Sequence, residues 1–259
     1  MGLLRRLLEF PSQVITYGVV MLGFVLPFTF FMKVLNRTEI YGKKHLQRAR
    51  PPFLFCPNHV SMLDDAFVGT LVFMPRAIWD YRFIPYHLPE RKNFFRGPLF
   101  SWLMYAAKCV PITRGQGVFQ PGIEKLIRLL KRGNVVHIYP EGTRTRTGDI
   151  GKGKIGVGRL VRETGVRVIP CYHSGLDQVL PIGRKIPCFG KRVRIWVGEA
   201  LSFESFMELP NTPKTWQMIS DRIVCAIRQL RDGQPHFREK IGEGEARFAP
   251  MQTTPSTRE

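Results

Sequence analysis

Along the chain, the longest apolar run comes first. From Val14 to Met32, VITYGVVMLGFVLPFTFFM passes 19 positions without a charge. At 1.5 Å per residue this is about 28 Å of helix, close to the hydrocarbon thickness of a bilayer. Lys33 and Arg37 follow the run, and Arg5 and Arg6 precede it. Ahead of it, Leu3, Leu4, Leu7 and Leu8 share one helical face, as in an interfacial helix. Pro27 predicts a kink or a break, so a single span and a bent, half-inserted hairpin both fit the pattern. A buried soluble helix is the plainer reading, but the length and the flanking charges favour a membrane. No small-x-small site follows the run, which argues against a cleaved signal peptide. Gly2 lacks the downstream Ser or Thr of a myristoylation signal, so no acyl anchor is expected there.

Beyond this run, short apolar stretches alternate with amphipathic ones. TEIYG (38–42) and PPFLFCPN (51–58) predict strands, and SMLDDAFVGTLVF (61–73) predicts a helix. PGIEKLIRLLKRG (121–133) is the clearest helix: Pro121 opens it, Ile123, Leu126, Ile127 and Leu130 form its stripe, and Gly133 stops it. NVVHIYPEG (134–142) reads as strand and turn, GVGRLVRETG (156–165) as helix, and VRVIPCY (166–172) and VRIWVGE (193–199) as strands. A last amphipathic helix spans about Pro213 to Arg231. Such alternation predicts an α/β fold, a mostly parallel sheet flanked by helices, with an N-terminal membrane-associated helical segment. The expected division is an anchor over 1–37, a folded domain over 38–232 and a loose tail over 233–259.

Composition adds a charge problem. With 39 basic and 20 acidic residues the chain carries a net charge of +19, and its 44% hydrophobic content is that of a folded protein. Such a surface attracts polyanions, either nucleic acid or anionic lipid, and the apolar run selects the lipid surface. The five cysteines, at 56, 109, 171, 188 and 225, make no CxxC pair and no cluster with histidine. They predict free thiols in a reducing compartment, and neither a metal nor a cofactor is expected.

The polar stretch CPNHVSMLDDAF (56–67) raises the question of chemistry. Ser61 and Asp64 have the spacing of a capping box, which needs no catalysis to explain it. His59 and Asp64 can also form a proton-transfer pair, on one geometric condition. Residues five apart on a continuous helix diverge by about 140°, so His59 must sit in the turn and Asp64 in the first helical turn. Three further segments send an apolar strand into a polar turn: CVPITRGQG (109–117), HIYPEGTR (137–144) and VIPCYHSG (168–175). In open α/β sheets, substrates bind at strand ends. Arg114 and Arg144 suit a phosphate, and Gly142 would let backbone approach it. Singly, each arginine reads as a solvated charge and Glu141 as a turn acid; their joint order carries the weight.

NHVSMLD, VPITR, YPEGTR and VIPCY, in that order, resemble the four blocks of glycerolipid acyltransferases, a superfamily that includes bacterial 1-acylglycerol-3-phosphate acyltransferases. NHVSMLDD, KCVPITRGQGVFQPGI, GNVVHIYPEG, IGVGRLVRETG and HSGLDQVLP are similar to the tafazzin branch, over roughly residues 50 to 200. The resemblance implies a phospholipid–lysophospholipid transacylase whose catalytic domain is 38–232. His59 would be the general base and Asp64 its orienting acid, with Asp65 as runner-up. Arg114, Glu141, Gly142, Thr143 and Arg144 would bind the acceptor's phosphate. EGTR is similar to the wider superfamily, where tafazzins carry a lysine after the glycine. The acyl donor therefore stays open between an intact phospholipid, acyl-CoA and acyl-carrier protein. Expected partners are phospholipid and lysophospholipid at an anionic membrane surface, with no nucleic acid. A bacterial cytoplasmic membrane is favoured over a mitochondrial one, since no acidic-poor, Ser-rich presequence is evident. The non-enzymatic rival is a basic membrane- or nucleic-acid-binding protein. Among the remaining candidates, His137 and His173 read as satisfied core histidines and Pro170 as part of an acyl-pocket wall. Cys56 and Cys171 lack a partner base for an acyl-enzyme.

Overall fold

The computed structural model describes residues 14–15, 17–184 and 186–233. The interfacial leucines at 3, 4, 7 and 8 and the tail beyond Gly233 lie outside these residues. Helix α1 runs over Tyr17–Leu35. The break expected at Pro27 does not occur. Met21–Val25 forms a wider π-turn, and the Leu26 N–H reaches back five residues to the Met21 carbonyl. That turn accommodates the proline ring, which in a regular helix would strike the carbonyl four residues earlier. Val25 and Met32 are buried against the domain, whereas Leu22, Leu26, Phe30 and Val34, four apart, form an exposed apolar stripe.

The domain is built on β1 (Arg37–Tyr41), β2 (Phe53–Pro57), β3 (Val135–His137), β4 (Arg167–Ser174) and β5 (Arg192–Val197), in the order β1-β5-β4-β2-β3. Parallel pairing joins β2 to both β3 and β4, and β1 to β5. The β4–β5 pair is antiparallel, so the mostly parallel sheet carries one reversed seam. The link between those strands contains a single helical turn, Leu176–Val179, rather than a crossover helix.

The central strand β2 is buried on both faces, as its unbroken apolar content predicts. Phe53 and Phe55 pack with Val68 and Phe73 of helix α3 (Asp64–Phe73), one layer of the core. Helix α2 (Lys43–Arg48) closes that layer through Leu46. Leu54 and Cys56 point the other way, into a layer made by α5 (Pro121–Lys131), α6 (Ile155–Thr164) and α7 (Pro213–Asp232). Helix α4 (Gly97–Ala106) lies between these layers in sequence and exposes Leu99, Phe100, Trp102 and Tyr105. Gly158 shows why α6 and α7 approach so closely: a Cβ there would lie 1.8 Å from the Trp216 carbonyl oxygen.

Candidate active site

The turn after β2 is built before any chemistry is placed on it. Asn58 donates its N–H to the Cys171 carbonyl (3.3 Å), donates Nδ2 to the His173 carbonyl (3.0 Å) and accepts the His173 N–H (2.8 Å). His59 is clamped through its backbone. Its N–H donates to Glu141 Oε1 (3.0 Å), and its carbonyl accepts the Thr145 N–H (2.9 Å). Glu141 Oε2 also accepts the Gly151 N–H (2.8 Å), so this buried carboxylate ties the turn after β2 to both ends of the long loop between β3 and α6.

One oxygen then organises the turn. Asp64 Oδ2 accepts the N–H of Val60 (2.7 Å) and of Ser61 (2.9 Å), and it lies 2.9 Å from His59 Nδ1. His59 is in the turn and Asp64 is the first residue of α3, the arrangement that their spacing required. Ser61 is not the helix cap. The N-cap position is Leu63, without a side-chain cap; Ser61 Oγ accepts a 3.4 Å bond from the Leu63 N–H and donates a 3.5 Å one to the Leu180 carbonyl. Half of the capping box survives, the bond from the Ser61 N–H to Asp64. The Tyr139 ring stacks on the imidazole at 3.9 Å and 12°, fixing its plane.

Asp65 does not orient His59. Its Oδ1 lies 3.0 Å from His87 Nδ1 and 3.4 Å from His137 Nδ1. Burial alone would raise its pKa, but the His87 hydrogen bond and the surrounding imidazoles hold it well below the usual carboxylate range. Burial pushes the His137 imidazole down to about 3. The expectation of two satisfied core histidines divides here. His173 Nε2 lies 2.8 Å from the Asn58 carbonyl while its Nδ1 is buried without a hydrogen-bond partner among the described residues, and both His137 ring nitrogens are buried without one. His87 was missed by sequence reasoning: YHLPE (86–90) lies in no named strand or helix, and no spacing marks it.

His59, Asp65, His87, His137 and Tyr139 share the wall of a cavity of about 1700 Å³. Its apolar wall includes Val20, Met21 and Phe28 of α1 with Phe73 and Phe83. Arg114, Gly142 and Arg144 line it as well, joined by Lys152 and Lys154. Gly142 has φ +66°, the left-handed region that glycine adopts without strain. Arg114 Nε lies 3.4 Å from Glu90 Oε2. Glu141 and Thr143 are not on the wall; the first is the buried brace and the second is exposed. Pro170 is not on it either, but sits inside β4 against Gly198. Cys56 and Cys171 are fully buried, and burial pushes both thiols far up, away from the thiolate a nucleophile needs.

A family model described as Acyltransferase matches residues 37–174, more than half of the chain, from β1 to the end of β4. The chain belongs to the Acyltransferase family. An N-acylphosphatidylethanolamine synthase from Arabidopsis thaliana is 32% identical over 217 residues, 76% of this chain and 72% of that one. Tafazzin from Drosophila melanogaster is 28% identical over 212 residues, covering 76% of this chain and 56% of the fly protein. The chain thus spans about half the length of that relative. A 1-acyl-sn-glycerophosphate acyltransferase structure from Thermotoga maritima superposes with a TM-score of 0.59 at 19% identity, covering 88% of this chain and 84% of that one. This acyltransferase therefore has the fold of that structure. Its cavity places an imidazole, with Nδ1 already engaged by a buried carboxylate, among apolar and cationic walls. Chemically, that arrangement can take a proton at Nε2 from a hydroxyl beside a long acyl chain.

Proposed function

We propose that the protein is a membrane-bound glycerophospholipid O-acyltransferase of tafazzin type, moving a fatty acyl chain onto the hydroxyl of a lysophospholipid. The observation that carries this reading is the His59–Asp64 contact of 2.9 Å at a cavity with both apolar and basic walls. In the proposed reaction the lysolipid hydroxyl gives its proton to His59 Nε2 while its oxygen attacks the donor's acyl carbonyl. Asp64 stabilises the imidazolium. Collapse of the tetrahedral intermediate breaks the donor's C–O bond, and the departing alkoxide takes the proton back from Nε2. Arg114 and Arg144, with the Gly142–Thr143 backbone, hold the acceptor's phosphate, while Glu141 holds His59 itself.

The lipid surface follows from the same reading. The exposed stripe of α1 and the exposed aromatic and aliphatic side chains of α4 supply apolar contact. The net charge of +19 favours anionic headgroups, as in a bacterial cytoplasmic membrane. Residues 1–37 act as the anchor and 38–232 as the catalytic unit. A second reading, transfer from acyl-CoA or acyl-carrier protein to 1-acylglycerol-3-phosphate, is favoured by the EGTR stretch, in which Thr143 follows the glycine where tafazzins carry lysine. The test is purified protein with acyl-labelled phosphatidylcholine and an unlabelled lysolipid, with and without a thioester whose acyl chain carries a second, distinguishable label. Label should move without thioester. Transfer that requires acyl-CoA or acyl-carrier protein supports the second reading, and no transfer under either condition overturns both.

A further inference from the structure

Beside the proposed proton-transfer pair lies a second cluster that the reaction does not use. Asp65 comes from the first turn of α3, His87 from an irregular segment and His137 from the end of β3. One donor atom from each residue, a carboxylate oxygen and two imidazole nitrogens, lies within 4.8 Å of the others. The two contacts to Asp65 Oδ1 measure 3.0 Å from His87 Nδ1 and 3.4 Å from His137 Nδ1. Donors held about 2.0–2.1 Å from a tetrahedral ion are separated by roughly 3.3–3.4 Å, a spacing that the two contacts to Asp65 already approach.

A hydrogen-bonded Asp–His–His network explains only part of this. His87 is accounted for by its bond to Asp65. His137 is not: its side chain has no exposure, and neither ring nitrogen has a hydrogen-bond partner among the described residues. An imidazole always presents at least one donor, and the neutral ring also presents a lone pair. Leaving both unpaired in the interior costs free energy and calls for an explanation. A cation accepting the lone pair at Nδ1 supplies one. Gly69, one turn beyond Asp65 on α3, lies against the two imidazoles and presents no side chain to them.

We propose that Asp65, His87 and His137 form a binding site for one divalent transition-metal ion, with zinc the best match to its donors. Two imidazoles and one carboxylate select zinc and its neighbours over magnesium or calcium, which prefer oxygen. Three protein ligands leave a position open, and all three residues line the cavity that also holds His59. Water or a lipid oxygen is the chemical class that completes the shell. The site stands independently of the acyl-transfer reading, since it is tested by binding.

The experiment uses the full, untagged chain, stripped with chelator and titrated with Co²⁺ by absorption and with Zn²⁺ against a chromophoric chelator. Expected is one ion per chain, a Co²⁺ ligand-field spectrum of low symmetry, and a rise in Tm with Zn²⁺. His87→Ala and Asp65→Asn each abolish the stoichiometric signal, whereas His45→Ala, remote from the cluster, keeps it. Asp65→Asn preserves size at a cavity-facing position, and near-ultraviolet circular dichroism reports that each variant is folded. The proposal is overturned if folded wild type binds no Co²⁺ or Zn²⁺, if it binds only Mg²⁺ or Ca²⁺, or if binding survives unchanged in both variants.

Discussion

Replacing Asp64 by asparagine separates structure from chemistry at the oxygen that organises the turn. The carboxylate is fully buried, and its Oδ2 receives two backbone N–H groups as well as facing His59 Nδ1 at 2.9 Å. An asparagine oxygen can take that place and keep both backbone bonds. Its NH₂ then falls where Asp64 Oδ1 lies, buried and without a hydrogen-bond partner among the described residues. An unpaired donor there costs about 1–3 kcal/mol, or about 2–4 °C of Tm per kcal/mol in a domain of this size. The protein should still fold. Catalysis loses more, because the imidazolium formed during proton transfer no longer meets a full negative charge. Charges about 4 Å apart at an effective dielectric of about 20 attract by about 4 kcal/mol. The asparagine dipole returns part of that, so turnover should fall about 10²–10³-fold. His59→Ala should lose about 10²–10⁴-fold through the missing base. Ser61→Ala is the control: among the described residues its hydroxyl makes contacts of 3.4 and 3.5 Å, so the change should cost under about 1 kcal/mol and leave turnover near wild type. Tm by scanning fluorimetry and transfer of labelled acyl chain are measured for all three. A folded Asp64→Asn protein with near-wild-type turnover would refute the pair, and so would Ser61→Ala proving the most harmful of the three.

Arg114→Ala and Arg144→Ala should each raise KM for the lysolipid and lower kcat/KM about ten- to hundredfold, from about 1.5–3 kcal/mol of charge-assisted bonding, with a smaller loss for lysine; unchanged kinetics in both would return these arginines to the solvated surface. Wild type should stay on vesicles in high salt, because apolar burial is not screened, whereas Leu22→Asp with Leu26→Asp should release it to the supernatant; extraction of wild type by salt alone would contradict the assigned lipid face of α1. Lys108 is buried, donates Nζ to the carbonyls of Tyr81 and Ile84 at 2.9 Å each, and is pushed by burial from 10.5 down to about 7. The unfolded chain then keeps a proton that the folded chain has lost, so wild-type stability should rise with pH from about 7 to about 10.5. Lys108→Met should lack that slope, and a Tm difference independent of pH across the window would show that the two carbonyls and the Tyr81 ring retain the ammonium.

What was legible in the sequence follows from which interactions are local. Helix α5 announces itself because Pro121, its apolar stripe and Gly133 all lie within one segment. The placement of His59 in a turn and Asp64 at a helix start was legible for the same reason: a five-residue separation admits their contact only with that break between them. Helix α4 was not legible. GPLFSWLMYA is apolar on the exposed face as well as the inner one, so there is no polar side to give a period. The reversed seam between β4 and β5 was hidden because a buried strand has the same composition in either direction. Glu141 was legible as a turn acid but not as the brace of His59, since its partners at 59 and 151 come from separate loops. The cluster of Asp65, His87 and His137 marks the same boundary more sharply. Its members have no shared spacing, and one of them belongs to no helix or strand. Sheet pairing and the packing of α3 bring them together, so a rule that looks for closely spaced ligands must pass over them. The chemistry carried by one turn could be read in advance; the chemistry assembled across turns required the fold.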